Sequence, residues 1–541
     1  MMKRLSTFAA FCALLSACGS NQQLVGTNEQ AQVTGSSSTV EMHRPWFHFT
    51  PPAMWMNDPN GMVYLDGEYH LFYQHTPHQA VPDFARMHWG HAVSTDLVHW
   101  QHLPPALAPD SLGAIFSGGA VVDFNNTSGL GTKDNPPIVA FFTSAGKTQQ
   151  QSMAYSLDKG RTWTKYEKNP VLPNPGIPDF RDPKVMWYEP QQKWIMALAV
   201  ADHMSFYSSK NLKDWQHESD FGATVGGHGG VWECPDLLKL PVAGTQEEKW
   251  VLLASINPGG PNGGSATQYF IGEFDGKNFV LDKQFETSLR NKPAAGGKGH
   301  EGIWLDYGRD NYAGVTWFGV PETDGRCLFI GWMNNWAYAD AVPTENWRGA
   351  MTIPRSLALE NTPAGLRVVS KPVKELQHLY GKTTKLKEQP IADGYSISEQ
   401  LPFKPEAFDL TVTMEAVGLK SDFAIELSNS QNQKLVVGYD AKRNEYYTDR
   451  TQSGRNNFST AFASISYAPR LAADNQFELR ILVDAASVEV FADGGKTVLT
   501  DTFFPDEKLS GIKLLTPNGK YRLKAGQVTE LKSIHAKDKI N

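Results

Sequence analysis

Three acidic residues stand in settings that suit a reactive site. Asp58 lies in Trp55-Met56-Asn57-Asp58-Pro59-Asn60-Gly61, Asp182 in Asp179-Phe180-Arg181-Asp182-Pro183, and Glu233 in Trp232-Glu233-Cys234-Pro235-Asp236. Breaking a glycosidic bond takes one carboxylate that attacks or activates water and one carboxylic acid that protonates the leaving oxygen. Neighbouring negative charges raise the pKa of one member, and a partly apolar surround favours its protonated form. Glu233, between Trp232 and Cys234, suits the acid. Asp58, expected exposed in a turn of Asn, Pro and Gly and near backbone amides, suits an ionised nucleophile. Asp182, next to Arg181, is expected to stay ionised and to bind substrate hydroxyls. Any one of these acids, taken alone, reads more readily as a turn or ion-pair residue. The three together, with their aromatic neighbours, read as a site.

The elements around them are β. After Asp58 come Met62 to Leu65, the Asp66-Gly67 turn, and Tyr69 to Gln74, which is strand, two-residue turn, strand. From His43 to Leu357 short apolar runs alternate with Gly, Pro, Asn and Asp, without a long stretch of helical period. A loose repeat runs through this region. Ser94 to Trp100 returns as Ser156 to Trp163, as Ser208 to Trp215, and faintly as Glu273 to Phe279. A period of roughly sixty over roughly 315 residues gives five four-stranded blades around an axis, with a sandwich of repeated hairpins as the alternative. In a propeller, equivalent ends of successive blades converge, so Asp58, Asp182 and Glu233 could meet from three blades. Past Ser370 the texture changes to clean alternation, as in Phe408 to Met414 and Phe477 to Val483, which argues a β-sandwich. The fold class expected is all-β: a catalytic five-bladed propeller over 41–368, a linker over 369–390 with one short helix, and an accessory sandwich over 391–541.

The 541 residues, 41% hydrophobic and 20% charged, are globular in composition, and a net charge of -7 argues against nucleic acid as a partner. Many of the 15 Trp stand beside Gly, Asn or Asp, offering the flat aromatic surface that sugar rings favour. Met1-Met2-Lys3-Arg4, an apolar run from Phe8 to Leu15, and Leu15-Ser16-Ala17-Cys18 have the layout of a secretory signal, too short for a permanent membrane span. Residues 1–18 resemble a bacterial lipoprotein signal in which Cys18 becomes the lipidated first residue. Gly19-Ser20 then points to the outer membrane or cell surface, with the periplasm as the alternative. Residues 19–40 read as a flexible tether. The remaining Cys234 and Cys327 have no zinc-type spacing and suggest no disulfide framework. No metal and no cofactor is expected, the only membrane contact expected is the lipid anchor, and oligomeric state is left open.

The three acidic motifs, in this order and spacing, resemble those of glycoside hydrolase family 32, the β-fructofuranosidases that include invertases, exo-inulinases and levanases. Trp89 to Trp100, Phe116-Ser117-Gly118-Gly119, Gly331-Trp332-Met333-Asn334-Asn335-Trp336 and Trp347-Arg348-Gly349 carry the likeness from about Arg44 to the end. The resemblance implies a propeller followed by a sandwich. It implies Asp58 as the nucleophile of a covalent fructosyl intermediate, Glu233 as general acid and base, and Asp182 as transition-state stabiliser, acting on fructan or sucrose with retention. By the same resemblance Asn57, Gln74, Trp89, Phe116, Ser117, Arg181 and Trp336 line the fructose pocket, with Trp332 competing for the place of Trp336. The chain departs from many relatives at Gly119, where they carry Ser, which puts one pocket contact in doubt. An exo-acting fructan hydrolase is the favoured reading. A sucrose-specific invertase, an endo-levanase, a propeller arabinan or xylan hydrolase and a non-catalytic sugar-binding protein remain as alternatives.

Overall fold

The computed structural model describes residues 41–290 and 302–535; the leader, Cys18 and the tether lie outside them. Five antiparallel sheets follow one another along the chain from Met54 to Pro372. The first blade holds Met54–Leu65, Glu68–Thr76, His88–Ser94 and Gln101–Leu107, and the second begins with Ala114–Val122. The third holds Phe180–Tyr188 through Gln216–Phe221, the fourth Val231–Pro241 through Phe279–Leu281, and the fifth begins with Tyr312–Thr316. The first strand of each blade contacts the first strand of the next, and Tyr312–Thr316 returns to Met54–Leu65, so five first strands ring a common axis. Trp347–Arg348, from a loop of the fifth blade, pairs in parallel with Met54 and Trp55 of the first and closes the ring.

The repeat in the sequence is the turn between the third and fourth strands of successive blades. The indoles of Trp100, Trp163 and Trp215 each donate to a carbonyl three residues back, those of Leu97, Gly160 and Leu212, all at 3.1 Å. Ser94, Ser156 and Ser209 donate to the side chains of Asp96, Asp158 and Asn211, the local hydrogen bonding for which turns recruit these residues. The faint fourth copy is the same connection in the fourth blade, where the Asp275 carboxylate accepts the amides of Lys277 and Asn278 at 2.8 and 2.7 Å.

A helix that periodicity did not reveal, Lys283–Arg290, follows the fourth blade. Its signals are local: Asp282 caps the amides of Gln284 and Phe285 at 2.9 and 3.1 Å, and Phe285 and Leu289, four apart, are its buried residues.

Two sheets beyond the propeller form the sandwich, their alternating apolar faces sharing one core that includes Phe408, Leu410, Phe477, Leu479 and Leu514. The expected linker is narrower than 369–390. Strand Gly365–Pro372 still belongs to the fifth blade, and Tyr380–Leu386 already pairs with Tyr521–Leu531 of the sandwich, leaving only a 3-10 turn over Lys374–Leu379 between them. Strand pairing reaches into the polar stretch on both sides because backbone ladders do not depend on side-chain polarity.

Propeller and sandwich meet over buried charge. The Arg355 guanidinium, fully buried, reaches Asp306 at 2.9 Å and pairs with Glu489 of the sandwich. His48 lies between Asp484 and Glu489, 2.8 Å from each.

Candidate active site

Asp58, Asp182 and Glu233 lie on the first strands of the first, third and fourth blades, which brings them together at the axis. Asp58 does not sit in a tight turn. Strand Met54–Leu65 runs through the whole heptapeptide, and its pairing with Glu68–Thr76 slips between Met56 and Pro59 and again between Asn60 and Val63. Pro59 offers no N–H to the ladder, and Gly61 has φ +55° with Phe72 Cδ2 only 2.6 Å from where a Cβ would stand, so the strand bulges and turns Asp58 inward. Asp182 and Cys234 themselves take left-handed φ values of 65° and 44°, a local strain of roughly 1–3 kcal/mol each that is characteristic of functional positions.

The acids face a cavity of about 490 Å³. Asp58 is 8% exposed; its Oδ2 accepts from Ser117 Oγ at 2.7 Å and faces Cys234 Sγ at 3.6 Å, and its Oδ1 accepts from Asn57 Nδ2 at 3.1 Å. Burial raises its pKa and the Glu233 charge adds to the rise, against the hydrogen bonds of Ser117 and Asn57. The exposed, ionised setting expected for it is therefore replaced by a buried one. Asp182 is likewise pushed up to about 7 by burial, with Glu233 and Asp58 adding to the shift and Arg181 opposing it. One guanidinium at 3.8 Å does not offset the burial of this carboxyl, contrary to the expectation from Arg181 alone.

Glu233 is the most open of the three, its side chain 20% exposed. Arg181 donates to Oε1 through Nη2 at 3.0 Å and Nε at 3.3 Å, and the Tyr312 hydroxyl donates to Oε2. Its chain neighbours do not form its surround. Trp232 is buried on the opposite face, as strand alternation requires, its indole bonded to the Gly227 carbonyl at 2.9 Å. Cys234, left-handed where the pairing slips between Glu233 and Asp236, turns its thiol to the two aspartates. Asp236, from the same motif, serves the framework instead and accepts Thr316 N and Oγ1 at 2.6 and 2.7 Å.

Of the residues expected in the pocket, Asn57, Gln74, Phe116, Ser117, Arg181 and Trp336 line the cavity. The Gln74 amide nitrogen, buried there, has no protein acceptor and is a donor left for a ligand. Trp89 is a correction. It is fully buried, and its indole donates to the Phe116 carbonyl at 3.1 Å, so it supports the wall without being part of it. Trp332 is also fully buried, 4.8 Å behind Trp336. The Cβ direction at Gly119 points to Lys184 Cδ at 3.1 Å, toward the third blade and away from the cavity. Phe84, Gln149, Asp179 and Asn257 line the cavity as well, and Tyr312 holds Glu233. None of these stood near an acidic motif except Asp179, whose pairing with Arg181 was legible from their two-residue spacing. Cys234 and Cys327 are free thiols. Among the described residues, no group of three or more His, Cys, Asp or Glu is arranged to hold a metal ion.

A propeller whose axis gathers carboxyl groups beneath aromatic side chains defines the class of carbohydrate-cleaving propeller enzymes. Residues 48–372 match the glycosyl hydrolases family 32 N-terminal domain, and residues 375–537 match the family 32 C-terminal domain. The chain is 46% identical over 519 residues to a levanase of Bacillus subtilis (strain 168), covering 93% of this chain and 72% of that protein. It is 39% identical over 527 residues to an extracellular exo-inulinase of Aspergillus awamori, covering 90% and 94%. The crystal structure of exo-inulinase from Aspergillus awamori superposes with a TM-score of 0.82 at 36% identity over 91% of this chain and 99% of that one. The fructofuranosidase from Schwanniomyces occidentalis complexed with fructose gives 0.79 at 32% identity, over 92% and 100%. The chain belongs to glycosyl hydrolase family 32.

Proposed function

We propose that this glycosidase releases terminal β-D-fructofuranosyl residues from fructans, and from sucrose, through a covalent fructosyl-enzyme intermediate. The observation that carries the reading is the convergence of Asp58, Asp182 and Glu233 on one cavity, supported by the names of the levanase and exo-inulinase relatives. Asp58 attacks the anomeric carbon. Its Oδ1, which accepts one hydrogen bond while Oδ2 meets both Ser117 and Cys234, is the freer oxygen for the new C–O bond. As the bond to the leaving sugar breaks, Glu233 gives its proton to the departing oxygen. Water then adds to the anomeric carbon, Glu233 takes its proton, and the bond to Asp58 breaks, so both carboxyl groups return to their starting states. Arg181 and Tyr312 hold the two oxygens of Glu233 and so fix its direction. Asp182, deeper than Glu233 and tied to the Cys234 amide at 3.1 Å, is set to bind fructose hydroxyls. Retention follows from two successive displacements at one carbon.

Export through the 1–18 signal and anchoring at Cys18 fit a substrate too large to import, and relatives whose names call them extracellular support export. Incubation with levan, inulin and sucrose tests the whole reading: free fructose is expected as the first product from the polymers, and its absence from all three would overturn it. Oligosaccharides preceding fructose would make the enzyme endo-acting.

A further inference from the structure

The aromatic wall of the cavity is anchored from outside the propeller. Trp336 lies in a turn in which the amides of Tyr338 and Ala339 return to the Asn335 carbonyl at 3.1 and 2.9 Å. The Asn335 side chain ties this turn to the Arg309 carbonyl at 2.7 Å. On the cavity side the Trp336 ring stacks on Trp55, 5.9 Å between centroids at 29°, and at the mouth it meets Phe84, 52% exposed, at 5.8 Å. Trp55 in turn donates to Asn57 Oδ1 at 2.6 Å, and Asn57 donates to Asp58. Away from the cavity, two residues past Trp336, the Tyr338 hydroxyl donates to Asp310 Oδ1 at 2.7 Å and accepts from Arg450 Nη2 at 2.7 Å.

Arg450 belongs to the sandwich strand Glu445–Gln452. It is fully buried, and its remaining donors reach Asp310 Oδ2 at 2.6 Å and the carbonyls of Phe462 and Thr502 at 2.8 and 3.1 Å. Phe462 closes the other side of Tyr338 with an edge-on contact at 5.1 Å. A continuous series of contacts therefore runs from the second domain to the residue proposed as nucleophile.

We propose that Arg450 is a positioning residue for substrate recognition. Acting through Tyr338, it presets the turn that carries Trp336, so that the sandwich helps set the aromatic wall of the sugar pocket. The inference rests on the fructan reading above and deepens it, giving the second domain a part in recognition as well as in the fold. The physical reason is preorganisation: an aromatic wall held in its binding pose need not be ordered when the substrate arrives, and ordering it at that moment opposes affinity. Arginine suits the place because its rigid fork serves the Tyr338 oxygen, the Asp310 carboxylate and two carbonyls at once, which an ammonium does not.

Two conservative variants test it. Tyr338→Phe keeps the ring and removes the hydroxyl; Arg450→Lys keeps a charge opposite Asp310 and removes the fork. Both are expected to fold and to release fructose, with KM for inulin and levan oligosaccharides raised about 3- to 10-fold and kcat within about twofold. Because both act through one contact, the double variant should be little worse than either single one. Activity that falls only in step with the folded fraction at unchanged KM, or KM effects that multiply in the double variant, would overturn the positioning role. Failure of the unaltered enzyme to release fructose would overturn the underlying reading instead.

Discussion

Two buried clusters of acids, one at the propeller axis and one where propeller meets sandwich, use the same side chains to opposite ends. At the axis the Arg181 guanidinium reaches Asp182 and Glu233 while Asp58 is served by Ser117 and Asn57, and the pKa values of both aspartates are raised. At the interface Glu489 and Asp484 are just as buried. There burial pushes upward too, but Arg355 and His48 around Glu489, and His48 with the Trp46 and Phe47 amides around Asp484, outweigh it and hold both carboxyls below their usual range. Burial pushes all of these carboxyls up, and the cations and hydrogen-bond donors around each decide whether the rise survives. Elsewhere on the interface, beside Arg450, Asp501 is pushed up to about 6 by burial, with Arg450 opposing and Asp310 adding. The axis is left short of positive charge and hydrogen bonds, a deficit that a bound sugar can relieve. The interface is complete without a ligand.

The sharpest test of this contrast is Asp58→Asn. Fructose release should fall by about 10⁴-fold or more, while the urea midpoint holds or rises because a buried charge has gone. A loss of several kcal/mol of unfolding free energy would make Asp58 a framework residue. Glu233→Gln should cost about 10²- to 10⁴-fold in turnover, the range for lost acid–base assistance, read with a polymer whose leaving sugar needs the proton.

At the interface the effects should reverse. Arg355→Met leaves Glu489 and Asp306 without their guanidinium and should lower stability by about 3–5 kcal/mol in urea titration, with turnover per folded molecule unchanged.

Acidity separates the clusters further. His48 is raised to about 9, since its hydrogen bonds and charge pairing with Asp484 and Glu489 outweigh the downward push of its own burial. The folded protein then holds a proton that the unfolded chain releases near pH 6.5. This contribution is complete below about pH 6.5 and is lost as pH rises through about 9, on the order of 3 kcal/mol. Asp182, raised to about 7, also favours the folded state at low pH, but its contribution is lost between about pH 4 and 7. His48→Gln should remove the pH dependence of the urea midpoint in the upper window and, by releasing Asp484 and Glu489 to rise, add to it at acid pH, whereas Asp182→Asn should flatten the lower window only. Smallest of all should be Gly119→Ser: its Cβ would stand 3.1 Å from Lys184 Cδ, closer than ordinary contact, and the flexible lysine stem need give only slightly. A stability change within about 1 kcal/mol and a KM within about twofold are therefore expected, read by thermal melt and kinetics.

Much of the blade plan was legible because it repeats. Ser, Asp or Asn, and Trp at fixed offsets are short-range features, and each copy makes the same turn wherever it falls. The helix Lys283–Arg290 escaped because eight residues are too few for a period to show, although its Asp282 cap was in plain view. Bulges were invisible for a different reason. The slip at Asp58 arises between Met54–Leu65 and its partner strand, and a turn-like run of Asn, Pro and Gly reads the same whether the chain reverses or only kinks.

The sequence by itself determined the chemistry available: which three acids, which aromatic residues, how many blades, and the family these spell out. Those follow from residue type and spacing along one chain. The tertiary structure alone decided the environment of each group. It buried Asp58 and Asp182 together, turned Trp232 away from Glu233 and brought Tyr312 to it from the fifth blade, sank Trp89 behind Phe116, and placed Arg450 behind the Trp336 turn. Burial and electrostatics depend on all neighbours in space, most of them distant in the chain, so no local stretch encodes them.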